Sequence, residues 1–236
     1  MNLWDKKAKS YARYNPKLNS IQKQSFEEFK KLNIDFKDKV ILDIACGTGV
    51  WSLHLAQRAK ELIALDSSKS MLDILYQDAK EFKIDNIKTY HLSFEDFVSN
   101  HPQFHCDIAF LSMAPVLNSK EACQNFIRLA ALRIYVTWHH YRQSDFLEPI
   151  FRHFNVKAKG FDKENLEDFL TQNHYAFSRF IFDETRKVKR TQEEALENAL
   201  WHLQMSGAEV SKDELRPLIK SDIDETITSK IKVLIF

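Results

Sequence analysis

The spacing of apolar residues changes along the chain, and each change marks an element. Trp4, Ala8 and Tyr11 stand at i, i+4 and i+7 and predict a short helix over 3–14. Leu18, Ile21, Phe29 and Leu32 predict a second helix over 18–32. The period then shortens. Residues 39–44 (KVILDI) and 61–66 (ELIALD) are strand-like, with a helix predicted over 50–59 between them. Ser67 or Ser68 can cap a helix over 69–82 that buries Met71, Leu72, Leu75, Ala79 and Phe82. Strands are predicted at 86–91, 106–112 and 132–138, and helices at 119–131 and 144–154. Strands alternating with helices of this length indicate βαβ units and a parallel sheet covered on both faces. Past 155 the rhythm loosens: a helix over 162–173, a strand over 175–184, amphipathic stretches at 191–205 and 211–220, and a last strand over 226–236.

Composition narrows the field. The 236 residues are enough for one large domain, or one with an insertion. Lys plus Arg is 34 and Asp plus Glu is 33, so overall charge gives no argument for a nucleic acid or an anionic membrane surface. Cys46, Cys106 and Cys123 are too few for a disulfide framework and lack CxxC spacing, which fits a reducing cytoplasm and no metal centre. No apolar run has the length of a membrane span, and none stands behind the first residues as a signal peptide would. There are only 4 glycines, against roughly 16 at average usage, yet Gly47 and Gly49 lie two positions apart.

Those two glycines sit in Asp43-Ile-Ala-Cys-Gly-Thr-Gly49, between a predicted strand and a predicted helix. Glycine lets the backbone turn sharply and lets a ligand approach where a Cβ would intrude. The helix start offers unpaired N–H groups. Asp43 ends the strand, at the edge where open α/β sheets bind ligands. Asp66 ends the next strand 23 residues later, where a carboxylate suits a ribose diol. A dinucleotide and S-adenosylmethionine both fit this outline. Gly47-Thr-Gly49-Val-Trp-Ser52 departs from G-x-G-x-x-G at Ser52, and Asp43 would repel a pyrophosphate while attracting a methionyl ammonium.

With these residues in register, the chain resembles the class I S-adenosylmethionine-dependent methyltransferases. The likeness runs from about Trp4 to Tyr141 and is strongest through 40–75. Ala45 replaces the first glycine of the family's D/E-x-G-x-G-x-G. The resemblance implies a doubly wound, Rossmann-like, seven-stranded sheet of order 3-2-1-4-5-7-6 with the last strand antiparallel. It implies one domain over 1–236: a helical lid over 1–35, a cofactor-binding core over 36–155, and a C-terminal half with a helical insertion over 185–223. It places S-adenosylmethionine against Asp43, Ala45, Cys46, Gly47, Thr48, Gly49, Asp66, Ser67 and Met71. Ser93 takes the place of the usual adenine-binding Asp, Phe94 is positioned to cover the ring, and Ser112 and Met113 line the transferring methyl. Trp4, Ala8 and Tyr11 resemble the helix that lids the cofactor, with Tyr11 and Tyr14 as candidate contacts.

No dense catalytic cluster is expected, because positioning alone can supply much of the rate. Tyr11 and the His139–His140 pair after strand five are the candidates for proton removal. The chain has no Asn-Pro-Pro-Tyr after strand four, no Pro-Cys nucleophile and no acid there to begin a Mg²⁺ site. The function expected is methyl transfer to a small molecule by in-line displacement. An RNA or protein methyltransferase is the alternative, for which only Arg186-Lys-Val-Lys-Arg190 speaks. A cofactor-binding regulatory module without turnover is the alternative of another class. The insertion is expected to shape the acceptor pocket.

Overall fold

The computed structural model describes residues 3–157 and 166–236. Helix α1 (Leu3–Ala8) is shorter than its apolar spacing predicts. The chain then runs extended through Asn15-Pro16, where proline disfavours helix in the residue before it. Helix α2 (Ser20–Lys31) starts at a capping box. Asn19 Oδ1 accepts from the Gln22 N–H at 2.9 Å, and Gln22 Oε1 accepts from the Asn19 N–H at 3.0 Å.

The alternation that follows matches the sequence reading. Strand β1 (Val40–Ile44), helix α3 (Ser52–Ala56), strand β2 (Glu61–Asp66), helix α4 (Lys69–Glu81), strand β3 (Ile87–His91) and strand β4 (Cys106–Ser112) come in that order. Helix α5 (Phe94–Asn100), not predicted, intervenes before β4. It is capped by Ser93, whose oxygen accepts from the Asp96 N–H at 3.0 Å. Helix α6 (Lys120–Arg128) leads into strand β5 (Ala130–Ser144), and helix α7 (Leu147–His153) follows. Helix α8 (Leu166–Gln172) lies within the stretch predicted over 162–173, of which 162–165 fall outside the described residues. Strand β6 (Ser178–Arg190), helix α9 (Gln192–Met205), the short helix α10 (Lys212–Leu215) and strand β7 (Ile223–Ile235) complete the chain.

The seven strands lie in the order β3-β2-β1-β4-β5-β7-β6, as the resemblance implies. Strand β1 pairs in parallel with β2 and β4, which sets Asp43 opposite Ala64 on one side and Phe110 on the other. Arg133 and Phe236 exchange both backbone hydrogen bonds, at 2.8 and 3.2 Å, the signature of an antiparallel pair, so β7 reverses against β5.

Two boundaries differ from expectation. Strand β5 continues through Thr137-Trp-His-His-Tyr-Arg-Gln-Ser144, so His139 and His140 lie within a strand and not in a loop beyond it. Strand β6 likewise absorbs the basic run 186–190, so the helical insertion begins at Thr191 and not at 185. Both stretches are too polar to display an apolar alternation; strand partners hold them.

Contacts gather the chain into two units. The first comprises Met1–Thr137, Phe161–Ile181 and Lys232–Phe236, and the second Trp138–Gly160 and Phe182–Ile231. The core of the first lies around Leu42, Ile44, Leu65, Phe97, Leu111 and Phe126. In the second, Leu147 and Ile150 of α7 meet Leu196, Ala199 and Leu203 of α9, with Leu215 and Ile219 alongside. Glu225 is fully buried there, accepting from Ser144 Oγ at 2.6 Å and Arg190 Nε at 2.9 Å.

Candidate functional site

The turn between β1 and α3 is built from left-handed backbone. Ala45, Gly47 and Gly49 have φ of 53°, 57° and 82°. A Cβ on Gly49 would stand 2.8 Å from Leu75 Cγ, so glycine is required there both for conformation and for space. At Gly47 a Cβ would have room, its nearest neighbour being Tyr11 Cε1 at 3.9 Å. Ala45 shows that this conformation tolerates a methyl one step earlier, which accounts for the family's first glycine being dispensable here. The turn is tied back to the sheet by the Cys46 N–H, donating to the Leu65 carbonyl at 3.0 Å.

Two carboxylates bracket this turn. Asp43 is 1% exposed and accepts from Ser52 Oγ at 2.5 Å. Burial pushes its carboxyl up to about 7 against the pull of that hydroxyl, and the charge of Asp66 adds to the rise. Asp66 accepts from two backbone N–H groups, Gly47 through Oδ2 and Ser68 through Oδ1, each at 2.8 Å. Burial raises Asp66 above the usual carboxylate range, and those two N–H groups oppose the rise. The thiol of Cys46 lies near both carboxylates; burial and their charges hold it well above its ordinary value, so it stays protonated and is a poor nucleophile.

The N-terminal segment straps over the turn. Trp4 and Tyr11 pack edge to face with ring centroids 6.3 Å apart. Thr48, fully buried, donates its hydroxyl to the Ala12 carbonyl at 2.5 Å, and Gln22 Nε2 donates to the Val50 carbonyl at 2.9 Å. Asp5 accepts from Ser68 Oγ at 2.6 Å and from the Ser70 N–H at 3.2 Å, which adds a second carboxylate to the N-terminus of α4. Arg13 pairs with buried Asp78 on the same helix. Tyr14 is buried, its ring 4.7 Å from the His54 ring and 5.0 Å from that of Phe82. It anchors the strap and does not line the turn.

The remaining predicted residues divide clearly. Ser67 is exposed at the tip of β2, where its carbonyl lies 3.2 Å from His91 Nε2. The Met71 side chain is buried, and its N–H donates to Ser68 Oγ at 3.3 Å. Ser112 and Met113 end β4 partly exposed, and Met113 has φ of 53°. Ser93 spends its oxygen on capping α5, and Phe94 is turned into the core at 4% exposure, so its ring is packed there and does not stand open as a cover for adenine. His139 and His140 belong to the second unit, with ring centroids 4.2 Å apart, whereas Tyr11 belongs to the first. Among the described residues, no group of three or more His, Cys, Asp or Glu side chains is arranged to hold a metal ion. No helix among them is long and apolar enough to cross a membrane.

Sequence reasoning named Ser68 as a candidate cap, and the structure bears it out, but it did not single out Ser52 as the partner of Asp43, nor Asp5 or Gln22. A signal existed for one of them: Asn19-x-x-Gln22 is a capping pattern.

An open α/β sheet, a left-handed turn after its first strand and acids at two strand tips are the arrangement on which such folds hold nucleoside-bearing cofactors. Residues 41–132 match the family described as "Methyltransferase domain". Over those residues the chain is similar to that methyltransferase family, and its sheet has the strand order that the resemblance implies. An uncharacterized protein of Haemophilus influenzae is 30% identical over 156 residues, 63% of this chain and 55% of that protein. A demethylmenaquinone methyltransferase of a Geobacillus strain is 33% identical over 95 residues, 38% of this chain and 40% of that protein. The matches thus span about half the length of these curated relatives. Among solved structures, the YcgJ protein of Bacillus subtilis shares the fold with a TM-score of 0.54 at 15% identity, covering 90% of this chain and 97% of that one.

Proposed function

We propose that this chain binds S-adenosylmethionine at the tips of β1 and β2 and transfers its methyl group to a small-molecule acceptor. The observation that carries this reading is the pair of buried acids around the left-handed turn. Asp43 receives one hydrogen bond, from Ser52, among the described residues. Its other oxygen therefore suits the methionyl ammonium or a water held by it, because a carboxylate so sheltered from bulk solvent is stabilised by a cation brought to it. A pyrophosphate would meet negative charge there. Asp66 accepts two N–H groups and keeps lone pairs for the two ribose hydroxyls. The backbone of 45–49, with Ser67, Met71, Ser93, Ser112 and Met113, supplies the rest of the cradle.

The cofactor brings a methyl group on sulfonium, already activated. What remains for the chain is to hold it, orient it and keep water out, and Trp4 and Tyr11 over the turn serve the last need. Such positioning is worth about 7–11 kcal/mol in favourable cases.

A small acceptor is favoured over RNA by the state of the basic run. Arg186 lies 3.2 Å from Glu184, Lys189 lies 3.7 Å from Asp224, and Arg190 lies 2.9 Å from Glu225. Most of its charge is answered within the fold, which leaves little for a phosphate backbone.

Calorimetric titration with S-adenosylhomocysteine, beside NAD, tests the reading. The first should bind and the second should not. Asp66→Ala should weaken binding roughly 10–150-fold, the loss of charged hydrogen bonds of about 1.5–3 kcal/mol. Preference for NAD, or unchanged affinity in the variant, would refute it.

A further inference from the structure

We propose that Ser52 is a positioning residue for Asp43, fixing which carboxylate oxygen meets the ligand. The inference rests on reading the turn as an S-adenosylmethionine site, and it adds a residue that the family motif does not include.

Asp43 ends β1 and Ser52 opens α3, and both are buried, at 1% and 0% exposure. The serine hydroxyl donates to Oδ2 at 2.5 Å. Among the described residues it is the one donor to this carboxylate, since no backbone N–H reaches it. A hydroxyl has a single proton to give. Committing it to Oδ2 locks the carboxylate rotamer and leaves Oδ1 as the acceptor for an incoming cation. Without that hydroxyl the carboxylate can turn, and both oxygens lack a protein donor.

The same contact governs the charge of Asp43. The groups that face it are Asp66 from β2, the Cys46 thiol in the turn and Ser52 from α3; β4 presents the apolar Phe110 beside it in the sheet. Burial and Asp66 favour the protonated acid, and Ser52 favours the carboxylate. Removing the hydroxyl lets the proton stay on to higher pH, and a neutral carboxyl attracts no ammonium. Ligand affinity should therefore rise with pH through the midpoint of Asp43, near 7 in the native chain, and through a higher midpoint when Ser52 is lost.

The experiment is calorimetric titration of the full chain with S-adenosylhomocysteine across about pH 6 to about pH 9, for the native protein, Ser52→Ala, Ser52→Cys and Ser52→Thr. Ser52→Ala should bind about tenfold more weakly near neutrality, with its pH midpoint moved up, and Ser52→Thr should stay within about twofold of native. Ser52→Cys, close in size and a weak donor, should follow Ser52→Ala and gives the same readout if the alanine variant does not fold. Native affinity and an unmoved midpoint in the alanine and cysteine variants would overturn the proposal. So would a lowered melting temperature with the midpoint unmoved, the mark of a merely structural role. If the native chain binds no S-adenosylhomocysteine, the reading of the turn falls and this inference with it. If it binds and Asp66→Ala weakens it while the Ser52 variants do not, this inference alone falls.

Discussion

The two units of the chain solve different problems with different means. In the first, apart from the N-terminal strap, short-range rules dominate: strands of five to seven residues from β1 to β4, a turn whose φ angles demand glycine, and caps within three residues of the helices they serve. Its buried polar groups converge on the β1–α3 turn. The second is held by distant partners. Glu225 answers Ser144 from 81 residues away and Arg190 from 35, and α7 packs on α9 across a wide gap in sequence. The proposed ligand site rests on local backbone geometry, whereas the second unit's integrity rests on pairings that only the fold creates.

The sharpest way to break that contrast is Glu225→Ala. It strands Arg190, only 21% exposed, beside a cavity, and leaves Ser144 without its acceptor. Urea denaturation should show a loss of about 3–5 kcal/mol, with the affinity of the remaining folded protein for S-adenosylhomocysteine unchanged. A fall in affinity would show that the units are not separable in this way. Gly49→Ala probes the other side. A methyl 2.8 Å from Leu75 at φ of 82° should cost about 2 kcal/mol and weaken ligand binding more than tenfold, measured by denaturation and calorimetry together.

The smallest effect expected is one of pH. His54 in α3 is buried against Tyr14, and burial, with Arg58 second, lowers its pKa to about 4. Its unfolded value is about 6.5, so the stability tied to neutral His54 is complete above that pH. It is lost as pH falls toward 4. Asp43, raised to about 7, works in the opposite sense, since the folded state keeps its proton longer. The measure is therefore the difference between native protein and His54→Gln, denatured at about pH 7 and about pH 5. The native chain should lose about 1–2 kcal/mol more than the variant; equal losses would show that His54 is protonated without strain.

The same contrast explains what the sequence disclosed. Strands β1, β2 and β4 are apolar runs bounded by turn residues, and Asp43 and Asp66 end two of them, so position and chemistry are read together. Ser93-x-x-Asp96 carried a capping signal for α5, but a seven-residue helix gives too few turns for periodicity to register. The far half of β5 and the tail of β6 were hidden for another reason. His139-His140 and Arg186-Lys187 have no apolar face, and they are strands because neighbouring strands pair with them. Phe94 illustrates the converse case. An aromatic beside the adenine position suggests a stacking partner, yet Phe94 at the start of α5 is buried in the core of the first unit, where its ring gains from leaving water.

Strand β6 lies at the margin of the sheet and is thirteen residues long. A bare margin of that length would recruit strands from other molecules. Asp183, Glu184, Arg186, Lys187, Lys189 and Arg190 crowd it with charge, and lysine-rich margins of this kind discourage stacking between chains. The cluster that looks, in sequence, like a landing place for a polymer is also, at this edge, the kind of charged margin that discourages pairing by foreign strands.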